Sequence, residues 1–351
     1  MLRPRDDALA RARDAVRSAR ERQLRGRYAE ATVLADAALV WARRAGAEPE
    51  RTAALRVLGV SLWQGPEPAA AAAHRIRALL AEHGAGRPAA RLALTGPLAV
   101  LYGMRERWAP ARGALDLTRA TAMELDPEGG ALLLSVLTAR VESLAGRTRQ
   151  AARLLRTAAD AADVLGVGPL RDAVRWAGVR LLGDAGRYGE AAEWIPGPVP
   201  HAPAAGRDGD GRAAWPGNAD RAAGTVARIA AVRGDAGEAS VLADLALEAA
   251  AASDSPVAQA MVRLDQAEVF RLTGRRDEAR RAVCLAGGDF ARKGHVPGVS
   301  DAAARHAALA SAALPFPSAS ASPPTSPSPS PPTSPSPSPP TSPSPSGVPG
   351  G

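Results

Sequence analysis

The side chains that could do chemistry are few and far apart in this sequence. The five histidines, His74, His83, His201, His295 and His306, never fall at the i, i+4 or short-loop spacing that a transition-metal site requires. The single lysine, Lys293, precedes Gly294, where a phosphate-cradling loop needs a hydroxyl after its Gly-Lys pair. Asp208 and Asp210, in Gly206-Arg-Asp-Gly-Asp-Gly211, open like a calcium loop, but a third acid and the closing glutamate are missing. Serines and histidines are present, yet no nucleophile elbow holds one of them. The lone Cys284 excludes an intramolecular disulfide and fits a reducing, cytoplasmic interior. Beside Ala282 and Val283 it reads as a small core residue and not as a nucleophile. The expectation is a protein that is not an enzyme, with no catalytic residue, no metal ligand set and no cofactor.

The elements around these residues are regular. Leu264 to Val283 reads as the end of one helix, a turn at Gly274 and the start of another. Leu264, Ala267, Phe270 and Leu272 before the turn, and Ala279, Ala282 and Val283 after it, lie on facing stripes. Gly274 suits the left-handed residue that ends a helix, and Asp277 and Glu278 suit the positive end of the next helix dipole. Similar turns stand at Gly26, Gly65, Glu106, Gly146, Gly186 and Gly234, so successive turns are 39, 41, 40, 40, 48 and 40 residues apart. Five residues after each turn is an alanine: Ala31, Ala70, Ala111, Ala151, Ala191, Ala239 and Ala279. A methyl there lets crossing helices approach at the short end of the roughly 8–10 Å range. Tyr28, Trp108 and Tyr188, two residues after their turns, fill the neighbouring space.

Helices are expected over 28–45, 50–64, 67–83, 88–104, 107–125, 128–145, 148–165 and 169–185, then 219–233, 236–252, 256–273, 276–292 and 299–313. Alternating Val, Ile, Thr and aromatic runs are absent, and aromatics make up only 3% of the chain, which argues for many thin helices and no sheet. The fold expected is all-α, a right-handed α-solenoid of about seven helix-turn-helix units. Its divisions are helical repeats over 1–194, a Pro/Gly-rich loop or hinge over 195–217, further repeats over 218–314, and a disordered tail over 315–351. In that tail Pro-Pro-Thr-Ser-Pro-Ser-Pro-Ser occurs three times between Pro323 and Ser346, a spacer composition with nothing to bury. No stretch approaches the ~18 consecutive apolar residues of a membrane helix. Residues 1–24 are arginine-rich, but acids interrupt them and basic residues are spread along the whole chain. A solvated first helix accounts for them better than a nucleic-acid arm.

The helix pairs, with their turn glycine and following alanine, resemble tetratricopeptide-type repeats in a longer-period form. The most specific part joins Arg233-Gly-Asp-Ala-Gly-Glu-Ala-Ser-Val-Leu-Ala243, Ala267-Glu-Val-Phe-Arg-Leu-Thr-Gly274-Arg-Arg-Asp-Glu-Ala279 and Phe290-Ala-Arg-Lys-Gly-His-Val296. It is similar to the C-terminal repeats of actinobacterial regulators that combine a class III adenylate/guanylate cyclase with an AAA/STAND-type ATPase. The resemblance spans roughly 90–310. The catalytic motifs of those regulators lie upstream of the repeats and have no counterpart here, so no catalytic residue is carried over.

The expected function is a helical-repeat scaffold for a protein or peptide partner in bacterial signalling or transcriptional regulation. With 44 basic against 36 acidic residues, a net charge of +8, the partner should be acidic. The alternative is a detached or truncated regulatory region of a cyclase/ATPase-type regulator. The residues that would contact the partner are not legible in the sequence.

Overall fold

The protein is described by a computed structural model over residues 4–196 and 219–311. Among these residues every regular element is a helix. The first six are α1 (Pro4–Leu24), α2 (Tyr28–Ala45), α3 (Glu48–Gln64), α4 (Ala69–His83), α5 (Pro88–Met104) and α6 (Trp108–Leu125). Then come α7 (Pro127–Leu144), α8 (Thr148–Val164), α9 (Gly168–Asp184) and the short α10 (Tyr188–Glu193). The last are α11 (Ala219–Arg233), α12 (Ala236–Ala251), α13 (Pro256–Leu272), α14 (Arg276–Lys293) and α15 (Val296–Ser311). The expected tail, and the 195–217 loop beyond Pro196, lie outside the described residues.

Helix starts have two local causes. Helices α3, α5, α7, α9 and α13 open with a proline in their first two positions, where a missing N–H costs nothing. Asp126 and Ser255 also cap α7 and α13 through their side chains. A tight left-handed turn precedes α3, α9 and α15, after Gly46, Gly166 and Gly294, and it also precedes α2, α6, α8, α10, α12 and α14. Gly26, Gly146, Gly186, Gly234 and Gly274 sit there at φ between 71° and 90°. In each, the N–H of the next residue reaches back to the preceding helix, as from Arg27 to Arg22 O (2.9 Å) and from Arg275 to Phe270 O (2.7 Å). Glu106 makes the same turn at φ 55°, the one non-glycine residue with positive φ among the described residues.

Gly65 departs from this pattern. It is extended (φ −76°, ψ −176°), and α4 does not start until Ala69, two residues later than the corresponding helices. The repeated alanine shifts with it. Ala31, Ala111, Ala151, Ala191, Ala239 and Ala279 are all fully buried, whereas Ala70 is exposed. Ala72 takes its place, fully buried and donating to Pro68 O at 2.9 Å as Ala31 donates to Arg27 O at 3.0 Å. The expected position of Ala70 is therefore corrected to Ala72. Cys284 is also corrected: it is exposed, because Ala282, Val283 and Ala286 take the inward face of α14 and leave it on the opposite side.

Each helix packs on its chain neighbour, and first helices also pack on one another, as α3 on α5, α5 on α7, α9 on α11 and α11 on α13. One apolar core contains Leu55, Leu58, Leu94 and Leu101 together with Val257, Leu264, Val283 and Phe290. The C-terminal helices thus share a core with the N-terminal ones, and the described residues belong to a single compact unit.

Backbone contacts make the same junction. The Asp254 N–H donates to Gly26 O (3.0 Å), and the Ser255 hydroxyl donates to Gln64 O (2.6 Å). The ammonium of Lys293 donates to the carbonyls of Leu62 (2.9 Å), Gly65 (2.7 Å) and Glu67 (2.7 Å). The N- and C-terminal helices meet here, at Gly26 and at the extended Gly65 turn.

Candidate functional site

The inward faces of α3, α5, α7 and α9 enclose a groove of about 430 Å³. Its walls are apolar: Val60 from α3, Ala93 and Pro97 from α5, Leu133, Val136 and Leu137 from α7, and Leu170, Val174 and Ala177 from α9. The stripes that bury one face of each helix at its crossings leave these residues along the inner edge. Through Leu133, Val136 and Leu170 the groove runs into a second depression bounded by Leu165 and Val167, both more than a third exposed.

Polar groups also line the groove. They are Arg56 of α3, Arg140 of α7, and Arg180 and Asp184 of α9, three guanidiniums against one carboxylate. The indole Nε1–H of Trp63, on the same wall, is buried and has no hydrogen-bond partner among the described residues. A buried donor without an acceptor is costly, so this one favours an acceptor brought by a ligand.

Arg180 continues into a buried ion network that links α9, α11 and α13. Its Nε donates to Asp184 at 2.9 Å, Nη1 to the fully buried Asp265, and Nη2 to Met261 O at 3.3 Å. Arg228, 2% exposed, donates from Nη1 to Asp184 (2.8 Å) and to Asp265 (2.9 Å), and from Nη2 to Gly183 O. The Tyr188 hydroxyl accepts from Arg228 at 3.3 Å and donates to Glu268 at 3.1 Å. Tyr188 therefore has a polar role beyond the packing expected of it. Gly224 gives α13 room at this point: a Cβ there would lie 2.4 Å from an Asp265 carboxylate oxygen.

Burial disfavours charge on Arg180 and Arg228, but Asp184 and Asp265 outweigh it, and both guanidiniums hold their protons more tightly than usual. Asp184 is raised by burial and lowered by more than that by Arg180 and Arg228, so it lies below the usual carboxylate range. Asp265 is pulled the other way by complete burial and by Asp184 beside it. Two permanently charged guanidiniums donate to it, so we assign it as ionised. The four groups then cancel in pairs. Arg56 and Arg140 are the other two guanidiniums of the lining.

The histidines are dispersed in space as in sequence. His295 is buried, with Nδ1 accepting the Gly298 N–H at 2.9 Å to cap α15 and its ring 4.9 Å from that of Phe290. His83 is buried at the end of α4. His201, with Asp208 and Asp210 of the acidic loop, lies outside the described residues. Among the described residues no group of three or more His, Cys, Asp or Glu side chains could hold a metal ion. No helix among them is long and apolar enough to cross a membrane.

The groove and the network were not legible in sequence. Arg180, Arg228 and Asp265 look like three of many surface charges. The available signal was that Asp265 follows Leu264 within an otherwise apolar helical stripe.

No protein-family model matches the chain, and no curated protein does. The class the coordinates define is an all-α protein of antiparallel helix pairs with an interior, arginine-bearing groove.

Proposed function

We propose that this chain is a non-catalytic helical-repeat scaffold, a right-handed α-solenoid of about seven helix-turn-helix units that acts in the cytoplasm. Its interior groove takes a protein or peptide segment with apolar and acidic side chains. The observation that carries this reading is the groove's lining, an apolar trough between four first helices with three arginines and one aspartate among its walls. Such a site gains affinity from apolar burial and orientation from charge. The spacing of turn signals near 40 residues, with the buried alanine in phase, supports the repeat description. The resemblance to the repeats of bacterial regulators suggests signalling or transcriptional control as the setting.

Fluorescence anisotropy with labelled peptides tests this. An amphipathic peptide ending in glutamates should bind, and its lysine counterpart should not. Arg56→Glu with Arg140→Glu should weaken the acidic peptide by about tenfold or more, equivalent to ~1.4 kcal/mol. Equal binding of both peptides, or no loss in the double variant, would refute the groove as the site.

A further inference from the structure

Lys293 is the only lysine among 44 basic residues, and it is fully buried at the end of α14. Its ammonium has three N–H donors, and three carbonyls receive them, those of Leu62, Gly65 and Glu67, at 2.7–2.9 Å. A tetrahedral ammonium fits three converging carbonyls, whereas a planar guanidinium does not, which explains a lysine in a chain that otherwise uses arginine. The seat is formed by the extended Gly65 connection between α3 and α4.

This seat has a mechanical consequence. Helices α3 and α9 are the outer walls of the groove. The α13–α14 pair is fastened to α3 by Lys293, and by the Ser255 hydroxyl at the start of α13, which donates to Gln64 O. The same pair is fastened to α9 where Arg180 donates to Asp265 and to Met261 O. It therefore spans the groove from wall to wall. The Arg180 attachment is a network of several side chains, while at α3 the ammonium alone makes three of the hydrogen bonds and Ser255 makes a fourth.

We propose that Lys293 is a latch: seated among its three carbonyls it closes the helical array and sets the groove's width, and its withdrawal lets α3 and α9 part. The effect on partner binding rests on the groove reading above; closure itself does not.

The test needs no ligand, so it can fail independently of that reading. Nitroxide labels at Arg25→Cys and Ala252→Cys, both exposed and flanking the Gly26–Asp254 contact, are placed in the full chain carrying Cys284→Ser. With Lys293 present, double electron–electron resonance should give one narrow, short distance. Lys293→Met, and Lys293→Arg despite its retained charge, should lengthen and broaden it while circular dichroism stays helical. An unchanged narrow distance in a helical Lys293→Met protein would overturn the proposal. Should that variant lose its helicity, Lys293→Arg and Gly65→Ala decide by the same outcomes, the latter perturbing the seat because its Cβ would lie 2.6 Å from Ser61 O.

Discussion

The carboxylate of Asp254 accepts the backbone N–H of Tyr28 at 3.0 Å and that of Ala29 at 2.8 Å, and so caps α2 from 226 residues away in the chain. Arg27, at the N-cap position of α2, makes no side-chain cap of its own. The start of the second helix is completed by the loop before the thirteenth. Local helix chemistry and the closure of the whole array are in this way one interaction.

Asp254→Ala removes both the cap and part of the seam. Loss of a cap costs about 1 kcal/mol, up to ~2. We expect the unfolding free energy from urea denaturation to fall by that amount or more, and early amide exchange at Tyr28 and Ala29. Protection unchanged at those two amides would show that the cap is not formed in solution.

Asp265→Ala leaves Arg180 and Arg228 buried without their shared acceptor, and breaking a buried pair from one side typically costs ~3–5 kcal/mol. Replacing both partners, as Asp265→Leu with Arg228→Met, should cost less than the sum of the single variants, because no charge in that pair is then stranded. Strict additivity in the denaturation series would mean that the two residues are not coupled.

Glu106 holds a left-handed conformation that glycine adopts at five equivalent turns. The penalty for an L-residue there is about 1–2 kcal/mol, partly offset by the greater freedom of unfolded glycine. Glu106→Gly should therefore raise the melting temperature, whereas Gly146→Ala at φ 73° should lower it. Opposite signs for these two changes are the expected result; the same sign would contradict it.

Two buried bases near the C-terminal corner set the response to pH. Burial, and then the charge of Arg140, pull His295 from 6.5 down to about 3. The unfolded histidine gains a proton that the folded one refuses, so this contribution is intact above pH 6.5 and is lost as pH falls toward about 3. Burial likewise pulls Lys293 from 10.5 to about 7, opposed by Glu67 and Asp254, with His295 two residues away. Three carbonyls accept from this ammonium, so the charged form is the one the fold seats. Below pH 6.5 the wild type should lose stability relative to His295→Asn at up to ~1.4 kcal/mol per pH unit. Parallel pH profiles for the two proteins would contradict this assignment.

What the sequence determined by itself was what is written in short range. A glycine ending a helix, a proline opening one, and an alanine wherever helices cross are choices made within five or six residues. The helices at most of their boundaries, and the buried faces around Ala31, Ala151 and Ala279, follow from them. Even the exceptions had local causes: the Pro66 and Pro68 pair delays α4, which moves the buried alanine from Ala70 to Ala72. Tertiary structure alone decided everything that depends on residues distant in the chain. Nothing near Asp265 announces that Arg180 and Arg228 will converge on it, and nothing near Lys293 names Leu62, Gly65 and Glu67 as its acceptors. Backbone carbonyls are the same in every residue, so a seat built from them leaves no trace in side-chain identity. It exists only once packing has brought the end of α14 against the connection between α3 and α4.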